Sequence, residues 1–208
     1  MAKSKTYLIG IDEVGRGPLA GPVTVAAVLL SAKLKTEKFK NFKIPLRDSK
    51  KLSPKQRGLW FKFIKQQKTP YAVSHVSSKI IDRINISNAA NLAATKALHK
   101  LITDNPQLTA NNLKILLDGG LKINPILKTY KLKNLKTIIR GDEKIPAISL
   151  ASIIAKVRRD KYMGKMHKKF PQYNFEKHKG YGTEIHYKLL KKNGASKIHR
   201  KSFLLKSK

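Results

Sequence analysis

The chain has 208 residues, a length that suits one domain with a sizeable hydrophobic core. It contains no cysteine, which excludes disulfide bonds and thiolate metal sites. Forty-five Lys and Arg residues against 12 Asp and Glu residues give a formal net charge of +33, and such a surface attracts polyanions. Enzymes of nucleic acids and non-catalytic RNA-binding proteins both carry such charge, so the positions of the scarce acids must separate these classes.

The first predicted elements are two strands joined by a tight loop. Tyr7–Ile11 is a short apolar run, typical of a buried strand, and it leads directly into Asp12 and Glu13. Val23–Leu30 is apolar and β-branched, which predicts a second buried strand. Neither run is long enough for a signal-peptide core or a membrane span, so we expect a cytoplasmic protein without a membrane contact.

Helices and strands alternate along the rest of the chain. Ser53 followed by Pro54 is typical of a helix start, and that helix is predicted to run to about Lys65. The remaining predicted elements are strand Tyr71–Val76, helix Ile86–Ile102, strands Lys114–Leu117 and Leu135–Ile139, and helices Pro146–Lys165 and Thr183–Lys192. This order predicts an α/β or α+β layer fold, and we expect the basic tail at 197–208 to be mobile.

Some of the scarce acidic residues lie where predicted strands end or where the long helix is about to begin. Asp12 follows the first strand with Glu13 beside it, Asp118 follows another strand, and Asp142 lies just before the long helix. Carboxylates at the carboxyl ends of strands can meet at one edge of a sheet, where they would repel one another without a cation. Mg²⁺ prefers such oxygen ligands, and two cations would support in-line attack on a phosphodiester. Taken singly, each acid is also compatible with a turn, an ion pair or a helix cap.

The loop after the first strand matches a dinucleotide-binding fingerprint without its structural context. Gly15-Arg16-Gly17-Pro18-Leu19-Ala20 fits the pattern G-x-G-x-x-G/A, but that pattern must open a helix. Here Pro18, Gly21 and Pro22 interrupt, and a β-branched strand follows. We interpret the segment as a loop whose bare backbone approaches a ligand closely, with a strained hairpin loop as the structural alternative.

Six sequence blocks lie in order over residues 12–203. They are Asp12-Glu13-Val14-Gly15-Arg16-Gly17 with Pro18-Leu19-Ala20-Gly21-Pro22-Val23, Asp48-Ser49-Lys50-Lys51-Leu52, Leu117-Asp118-Gly119, Gly141-Asp142 with the polar and small residues of 147–160, His178-Lys179-Gly180-Tyr181-Gly182-Thr183, and His199-Arg200-Lys201-Ser202-Phe203. Together these blocks resemble the ribonuclease HII family. Their order and their extent over nearly the whole chain make the resemblance specific.

The resemblance implies a ribonuclease H-like α/β fold, with a central mixed β-sheet flanked by α-helices and a helical C-terminal region at about 170–208. It implies one catalytic domain over residues 1–208, and it implies four ligands for Mg²⁺ or Mn²⁺, namely Asp12, Glu13, Asp118 and Asp142. The implied activity is hydrolysis of the RNA strand of RNA–DNA hybrids and incision 5′ of single ribonucleotides in duplex DNA. The products would carry 5′-phosphate and 3′-hydroxyl ends, and DNA replication and ribonucleotide excision repair would be the settings.

Candidate substrate contacts come from the resemblance and from helix spacing. The backbone of Gly15, Arg16 and Gly17 and the ring of Tyr181 would read the sugar at the cut, because the 2′-hydroxyl distinguishes RNA from DNA. Ser149, Ser152, Lys156 and Arg159 share one helix face, which would lie towards the carboxylates and the phosphates. Further candidate phosphate contacts are Lys50, His199, Arg200 and Lys201, and Ser49 is a further candidate for substrate binding. For each candidate, a structural turn residue or a solvated charge is the alternative.

The expected partners are RNA–DNA hybrids and ribonucleotide-containing DNA, bound by a monomer, with a candidate sliding-clamp contact in the C-terminal tail. Two alternative functions remain open at this point. A non-catalytic basic RNA-binding protein would explain the charge but would gain nothing from acids collected at strand ends. A metal nuclease of broader specificity would share the fold but not the Gly-Arg-Gly and Gly-Tyr-Gly blocks.

Overall fold

The computed structural model describes residues 6–31, 39, 42–123 and 134–205. Its strands are β1 Tyr7–Val14, β2 Val23–Ser31, β3 Tyr71–Val76, β4 Leu113–Asp118 and β5 Leu135–Ile138. They form one sheet in the order β3-β2-β1-β4-β5. The first three strands pair antiparallel, whereas β4 runs parallel to β1 and β5 runs parallel to β4. Every predicted strand is present, and the predicted mixed sheet is confirmed.

Helices cover both faces of this sheet. They are α1 Pro54–Gln66, α2 Ser78–Thr103, α3 Gly141–Lys144, α4 Pro146–Lys169, α5 Phe175–His178, α6 Glu184–Asn193 and α7 Lys201–Leu204. The predicted start of α1 is confirmed, because the Ser53 hydroxyl accepts the N–H of Gln56 and the Gln56 side chain accepts the N–H of Ser53. Within the described residues, no helix combines the length and the apolar character that crossing a bilayer requires.

The second strand is buried on both sides. Val23, Val25, Ala27 and Leu29 belong to the core that packs against α2. The alternate residues Ala26, Val28 and Leu30 belong to a second core, formed with α1 and α4. A strand with helices on both faces has no polar face, which explains why β2 reads as a continuous apolar run.

Close contact between β1 and α4 depends on a glycine. A methyl group added to Gly10 would overlap the backbone carbonyl carbon of Ala147 at the start of α4. Because neither backbone can move without disturbing the sheet or the helix, only a residue without Cβ fits at this position. This packing brings the first turns of α4 directly against the strand that carries the first two acidic residues.

The second helix differs from its predicted span. It begins at Ser78 rather than at Ile86, and its course is interrupted at Asn85, whose φ of 63° and ψ of 168° are not helical. The Asn85 side chain accepts the N–H of Asn88 and so caps the segment that follows. The predicted helix Ile86–Ile102 therefore corresponds to this second segment, and the first segment was missed.

The C-terminal region is helical, as predicted, but the described part of its tail is not mobile. His199 and Arg200 are buried, and α7 follows them. The carboxylate of Asp82 on α2 accepts the backbone N–H groups of Lys201 and Ser202, both at 3.0 Å. The mobile-tail prediction is therefore wrong for residues 197–205, because this segment is fixed to α2 at its last helix. Residues 206–208, part of the tail considered for a sliding-clamp contact, lie outside the described residues.

Candidate active site

Three carboxylates meet at the carboxyl end of the central strands. Since β1 and β4 are parallel neighbours with Ile11 opposite Leu117, the residues that follow, Asp12 and Asp118, emerge side by side. One carboxylate oxygen from each of Asp12, Glu13 and Asp118 lies within 4.8 Å of the others. The sheet topology thus produces the cluster that the strand-end positions had suggested.

The cluster is partly buried, with Asp12 the most enclosed of the three, and its carboxylates are crowded. Burial raises the pKa of Asp12 well above its usual range, and the neighbouring carboxylates of Glu13 and Asp118 raise it further. Burial also raises the pKa of Glu13, against the opposing effect of Arg16. In the described part of the chain, Glu13 Oε2 is a buried oxygen with no hydrogen-bond partner. An unsatisfied acceptor among crowded carboxylates fits a divalent cation, which prefers oxygen ligands.

Each of the three carboxylates is also held by a neighbouring group. Asp12 accepts the N–H of Glu13 at 2.7 Å and a hydrogen bond from Ser152. Glu13 pairs with Arg16, with 3.0 Å between Nη1 and Oε1. Asp118 Oδ1 accepts the N–H of Gly141 at 2.6 Å. These contacts fix the orientation of the acids while leaving further oxygen lone pairs for a ligand.

Asp142 lies at the border of the cluster rather than inside it. Its backbone N–H points to Asp118 Oδ1 at 3.4 Å, and its side chain is buried on the short helix α3. Burial raises the pKa of Asp142, and the carboxylates of Asp118 and Asp48 add to this effect. The Nζ of Lys50 is 3.9 Å from Asp142 Oδ2. The structure therefore places Asp142 next to the other three acids, with Asp48 as an additional acid that sequence reasoning had not selected.

Two of the predicted substrate contacts form a buried brace. The hydroxyl groups of Ser49 and Ser152 are 2.8 Å apart, and both residues are buried. Since Ser152 also bonds Asp12, this pair connects the second block to the carboxylate cluster. Lys50, by contrast, is exposed beside the cluster, where its ammonium group is available to a phosphate. The predicted contact is thus sterically open for Lys50 but not for Ser49 or Ser152.

The glycine loop runs beside the carboxylates. Gly15 has a φ of +90°, and a side chain there would overlap the guanidinium of Arg159. Arg16 bonds Glu13 and also donates to Ser87 Oγ at 3.3 Å, while Gly17 is exposed. The loop thus presents an open backbone next to the acids, which agrees with the interpretation as a ligand-approach loop.

Tyr181 lies on the surface of a basic cleft. The cleft, of about 550 Å³, is lined by residues of α1, α4 and α5 and by the loop that follows α5. The Tyr181 ring is 38% exposed and lies 5.8 Å from Lys156 Nζ and 5.6 Å from Arg159 Cζ. Lys156 is partly buried and pairs with Asp160 at 2.8 Å. The ring is thus partly exposed and has two cations close to its centroid.

Four predicted contacts point into the protein instead of towards a substrate. Arg159 and Arg200 have no exposed surface, and His199 is 3% exposed, so the prediction of direct phosphate contacts for His199 and Arg200 is wrong. Ser149 donates to the backbone carbonyl of Asp142, and Arg159 donates to carbonyls of the glycine loop. The helix stripe therefore faces the carboxylates at Ser152 but serves internal packing at Ser149 and Arg159.

A buried group of three imidazole rings was not predicted. His178 stacks on His186 with 4.2 Å between ring centroids, and His186 Nε2 lies 3.0 Å from His199 Nε2. Sequence reasoning had only noted that the histidines lack paired zinc spacing. A signal for their structural role is present in the motifs themselves, since His178 and His199 each open a family block.

Known proteins resemble this chain over nearly its whole length. A family sequence model described as Ribonuclease HII matches residues 9–206. The ribonuclease HII of Caldicellulosiruptor bescii is 44% identical over 202 residues, covering 95% of this chain and 86% of that protein. The ribonuclease HII of Endomicrobium trichonymphae is 47% identical over 195 residues, covering 93% of this chain and 83% of that protein.

Solved structures agree with the same assignment of the fold. The ribonuclease H2 of Pyrococcus horikoshii superimposes with a TM-score of 0.68 at 25% identity, covering 95% of this chain and 93% of that chain. The ribonuclease HII of Archaeoglobus fulgidus, solved in complex with PCNA, gives a TM-score of 0.68 at 23% identity, covering 96% of this chain and 95% of that chain. The predicted ribonuclease H-like fold is confirmed.

Proposed function

Since this chain belongs to the ribonuclease HII family and is an endonuclease of the ribonuclease H type, we propose that it incises duplex DNA 5′ of a single embedded ribonucleotide and cleaves the RNA strand of longer hybrids. The observation that carries the proposal is the convergence of Asp12, Glu13 and Asp118 within 4.8 Å, beside the open backbone of the glycine loop. The non-catalytic RNA-binding alternative is excluded by family membership.

The acidic cluster is the proposed cation site. Asp12, Glu13 and Asp118, with Asp142 at its border, would hold Mg²⁺ or Mn²⁺. Two such ions would activate a water molecule and stabilise the leaving 3′ oxygen, giving 5′-phosphate and 3′-hydroxyl products. The protein's own contribution is orientation: Ser152 holds Asp12, Arg16 holds Glu13, and the Gly141 amide holds Asp118.

Recognition of the ribose is proposed for two loops. The backbone amides of Gly15, Arg16 and Gly17 would bond the 2′-hydroxyl, which only a ribonucleotide offers. The partly exposed ring of Tyr181 would pack on the neighbouring deoxyribose, which would favour a ribonucleotide followed by DNA. Lys50 and Lys156 remain as candidate phosphate contacts, and such contacts make binding weaken steeply with salt.

One assay tests the function and separates it from the remaining alternative. A DNA duplex with one ribonucleotide is incubated with Mg²⁺, and the cut position is mapped. Incision on the 5′ side of the ribonucleotide supports the proposal, whereas cutting that ignores its position supports a nuclease of broader specificity. Tyr181→Ala should lose more activity on this duplex than on a long hybrid, and an equal, negligible loss on both would contradict its role.

The carboxylate assignment is tested in the same assay. Asp118→Asn keeps an oxygen that can accept the Gly141 amide but removes the charge, so we expect the rate to fall at least about 100-fold, more than the loss of an outer-shell partner usually causes. Asp104→Asn, on the exposed end of α2, is the matched control and should retain the wild-type rate. Full activity of Asp118→Asn would refute the assignment.

The cellular setting is proposed by analogy with relatives. A monomer in the cytoplasm, acting in DNA replication and ribonucleotide excision repair as one catalytic domain, agrees with the family. The structure of the Archaeoglobus relative with PCNA supports a sliding-clamp contact here too. The candidate segment is the C-terminal tail, whose described part ends just after α7.

A further inference from the structure

Two arginines are buried under the glycine loop without an acidic partner. Arg159 on α4 and Arg200 before α7 both have no exposed surface. Among the ion pairs of the described residues, neither guanidinium is paired with a carboxylate within 4.0 Å. A buried charge destabilises a protein strongly unless other groups compensate it, so the partners of these two side chains indicate what they do.

The partners of Arg200 are carbonyl groups of the glycine loop. Its Nη2 donates to Gly15 O at 2.6 Å, its Nη1 donates to Arg16 O at 2.7 Å, and its Nε donates to Gly21 O at 3.0 Å. Its backbone N–H donates to Leu19 O at 2.8 Å. One residue thus binds both ends of the loop, from a position 185 residues along the chain from Gly15.

Arg159 completes the same arrangement from α4. Its Nη2 donates to Ala20 O at 3.0 Å and its Nε donates to Pro22 O at 3.1 Å. Its Nη1 donates to Lys179 O at 2.9 Å, in the loop that carries Tyr181. Main-chain carbonyl dipoles therefore compensate the buried charge of both guanidinium groups. All of these carbonyl groups point towards the two buried arginines.

The direction of the carbonyls decides the direction of the amides. In a trans peptide unit the C=O of one residue and the N–H of the next point to opposite sides. With the carbonyls of Gly15 and Arg16 directed to Arg200, the N–H groups of Arg16 and Gly17 point away from it. Neither N–H has a hydrogen-bond partner among the described residues. Two adjacent donors are therefore left available on the outer side of the loop.

We propose that Arg200 is a positioning residue for ribose recognition: its fork turns two consecutive peptide units so that the N–H groups of Arg16 and Gly17 face the substrate. Arg159 fixes the far end of the same loop. The proposal rests on the proposed function, because it assigns the orientation of the donors that would bond the 2′-hydroxyl. It also replaces the wrong prediction that Arg200 touches a phosphate.

The conservative variant Arg200→Lys tests the role of the fork. Lysine keeps the charge but cannot bind two carbonyls in the planar geometry of a guanidinium. We expect the single-turnover rate of incision at an embedded ribonucleotide to fall at least about 30-fold, since small misplacements of binding groups have effects of about 100-fold. Arg158→Lys, on the exposed side of α4, is the matched control and should stay within about twofold of wild type.

A second variant separates positioning from phosphate binding. Arg200→Met removes the charge, so a phosphate contact would reduce the slope of log affinity against log salt by about 1. If Arg200 is a positioning residue, Arg200→Met should bind the uncut duplex with an unchanged slope of log affinity against log salt, measured without divalent cations. The same variant should lose incision rate. A reduced slope, or a wild-type rate in a folded Arg200→Lys protein, would overturn the proposal.

A measurement on the wild-type protein covers the case in which both variants fail to fold. Amide exchange with water, measured by NMR, should be fast for Arg16 and Gly17 in the free protein and slower when the ribonucleotide duplex is bound. Protected amides in the free protein would overturn the proposal. Absence of incision by wild type would instead refute the proposed function. The exchange rates of the two amides in the free protein would still test the orientation of the loop.

Discussion

Acid should destabilise this protein through a chain of hydrogen bonds between buried imidazoles. The backbone N–H of Ser196 donates to His199 Nδ1 at 2.8 Å, so the proton of this neutral ring is on Nε2. Nε2 then donates to His186 Nε2 at 3.0 Å, and His186 Nδ1 donates to the carbonyl of Tyr181 at 2.9 Å. With each ring in this neutral tautomer, all four ring nitrogens of His186 and His199 take part in hydrogen bonds. A proton added to either ring must therefore break one of these hydrogen bonds.

The size of the effect follows from the pKa values. Burial lowers the pKa of both His186 and His199 from 6.5 to about 4. Between these values an unfolded chain binds a proton on each ring that the folded chain does not bind, so the free energy of unfolding falls as the pH falls from about 6.5 to about 4. The expected decline is about 1.4 kcal/mol per pH unit for each ring, or about 3 kcal/mol for one ring over the window.

His199→Asn isolates this contribution. The asparagine oxygen can still accept the Ser196 amide, but the side chain does not titrate. Urea unfolding, followed by the fluorescence of the single tryptophan, Trp60, gives the free energy of unfolding at each pH. The variant should be less stable at pH 7, and its slope against pH should be smaller by about 1.4 kcal/mol per unit than that of wild type.

The comparison with wild type removes contributions of other groups, including Asp12 and Glu13, whose raised pKa values act in the opposite direction. Tyr173→Phe is the matched control, because the Tyr173 ring contacts His199 and its hydroxyl donates to Gly194 O at 2.7 Å. It should lower the stability equally at each pH. An unchanged slope in His199→Asn would refute the reasoning, since His199 would then bind its proton equally in both states.

Two further outcomes follow from the packing and from the cation site. Gly10→Ala should lower the free energy of unfolding by about 3 kcal/mol in urea titrations, because its methyl group would overlap the α4 backbone. The control Gly164→Ala has open space around it and should raise the free energy of unfolding by at most about 1 kcal/mol. Glu13→Gln should raise the free energy of unfolding of the cation-free protein by about 1 kcal/mol and abolish the rise in melting temperature on adding Mg²⁺. A melting temperature that still rises with Mg²⁺ as in wild type would contradict Glu13 as a ligand.

The meeting of Asp12 and Asp118 could be anticipated because it depends on simple sheet geometry. Each residue follows a short apolar run of the sequence, and parallel neighbouring strands bring such positions to one edge of a sheet. The sequence does not contain the strand order, which places β4 directly beside β1. That information came from the resemblance of the ordered motifs, since the pairing joins segments separated by about half of the chain.

The burial of Arg200 could not be predicted from the sequence. In a chain with 45 Lys and Arg residues, nothing local distinguishes a buried arginine from a solvated one. Its burial is determined by carbonyl groups of Gly15 and Arg16, which only the folded chain brings together. The break at Asn85 was missed for a related reason, since asparagine within a helical pattern indicates a cap only once its conformation is known.

Sugar recognition and cation binding are adjacent in the site, but different hydrogen bonds support them. The glycine loop and the Tyr181 loop are joined to each other, because Leu19 N–H donates to Gly180 O at 2.8 Å and Arg159 bonds carbonyls of both loops. The carboxylates are held instead by Ser152 and by the Gly141 amide. Within the described residues, the side-chain connection between the two groups is the pair of Arg16 with Glu13. Substitutions at the buried arginines should therefore alter the choice of substrate while leaving the affinity for divalent cations close to that of wild type.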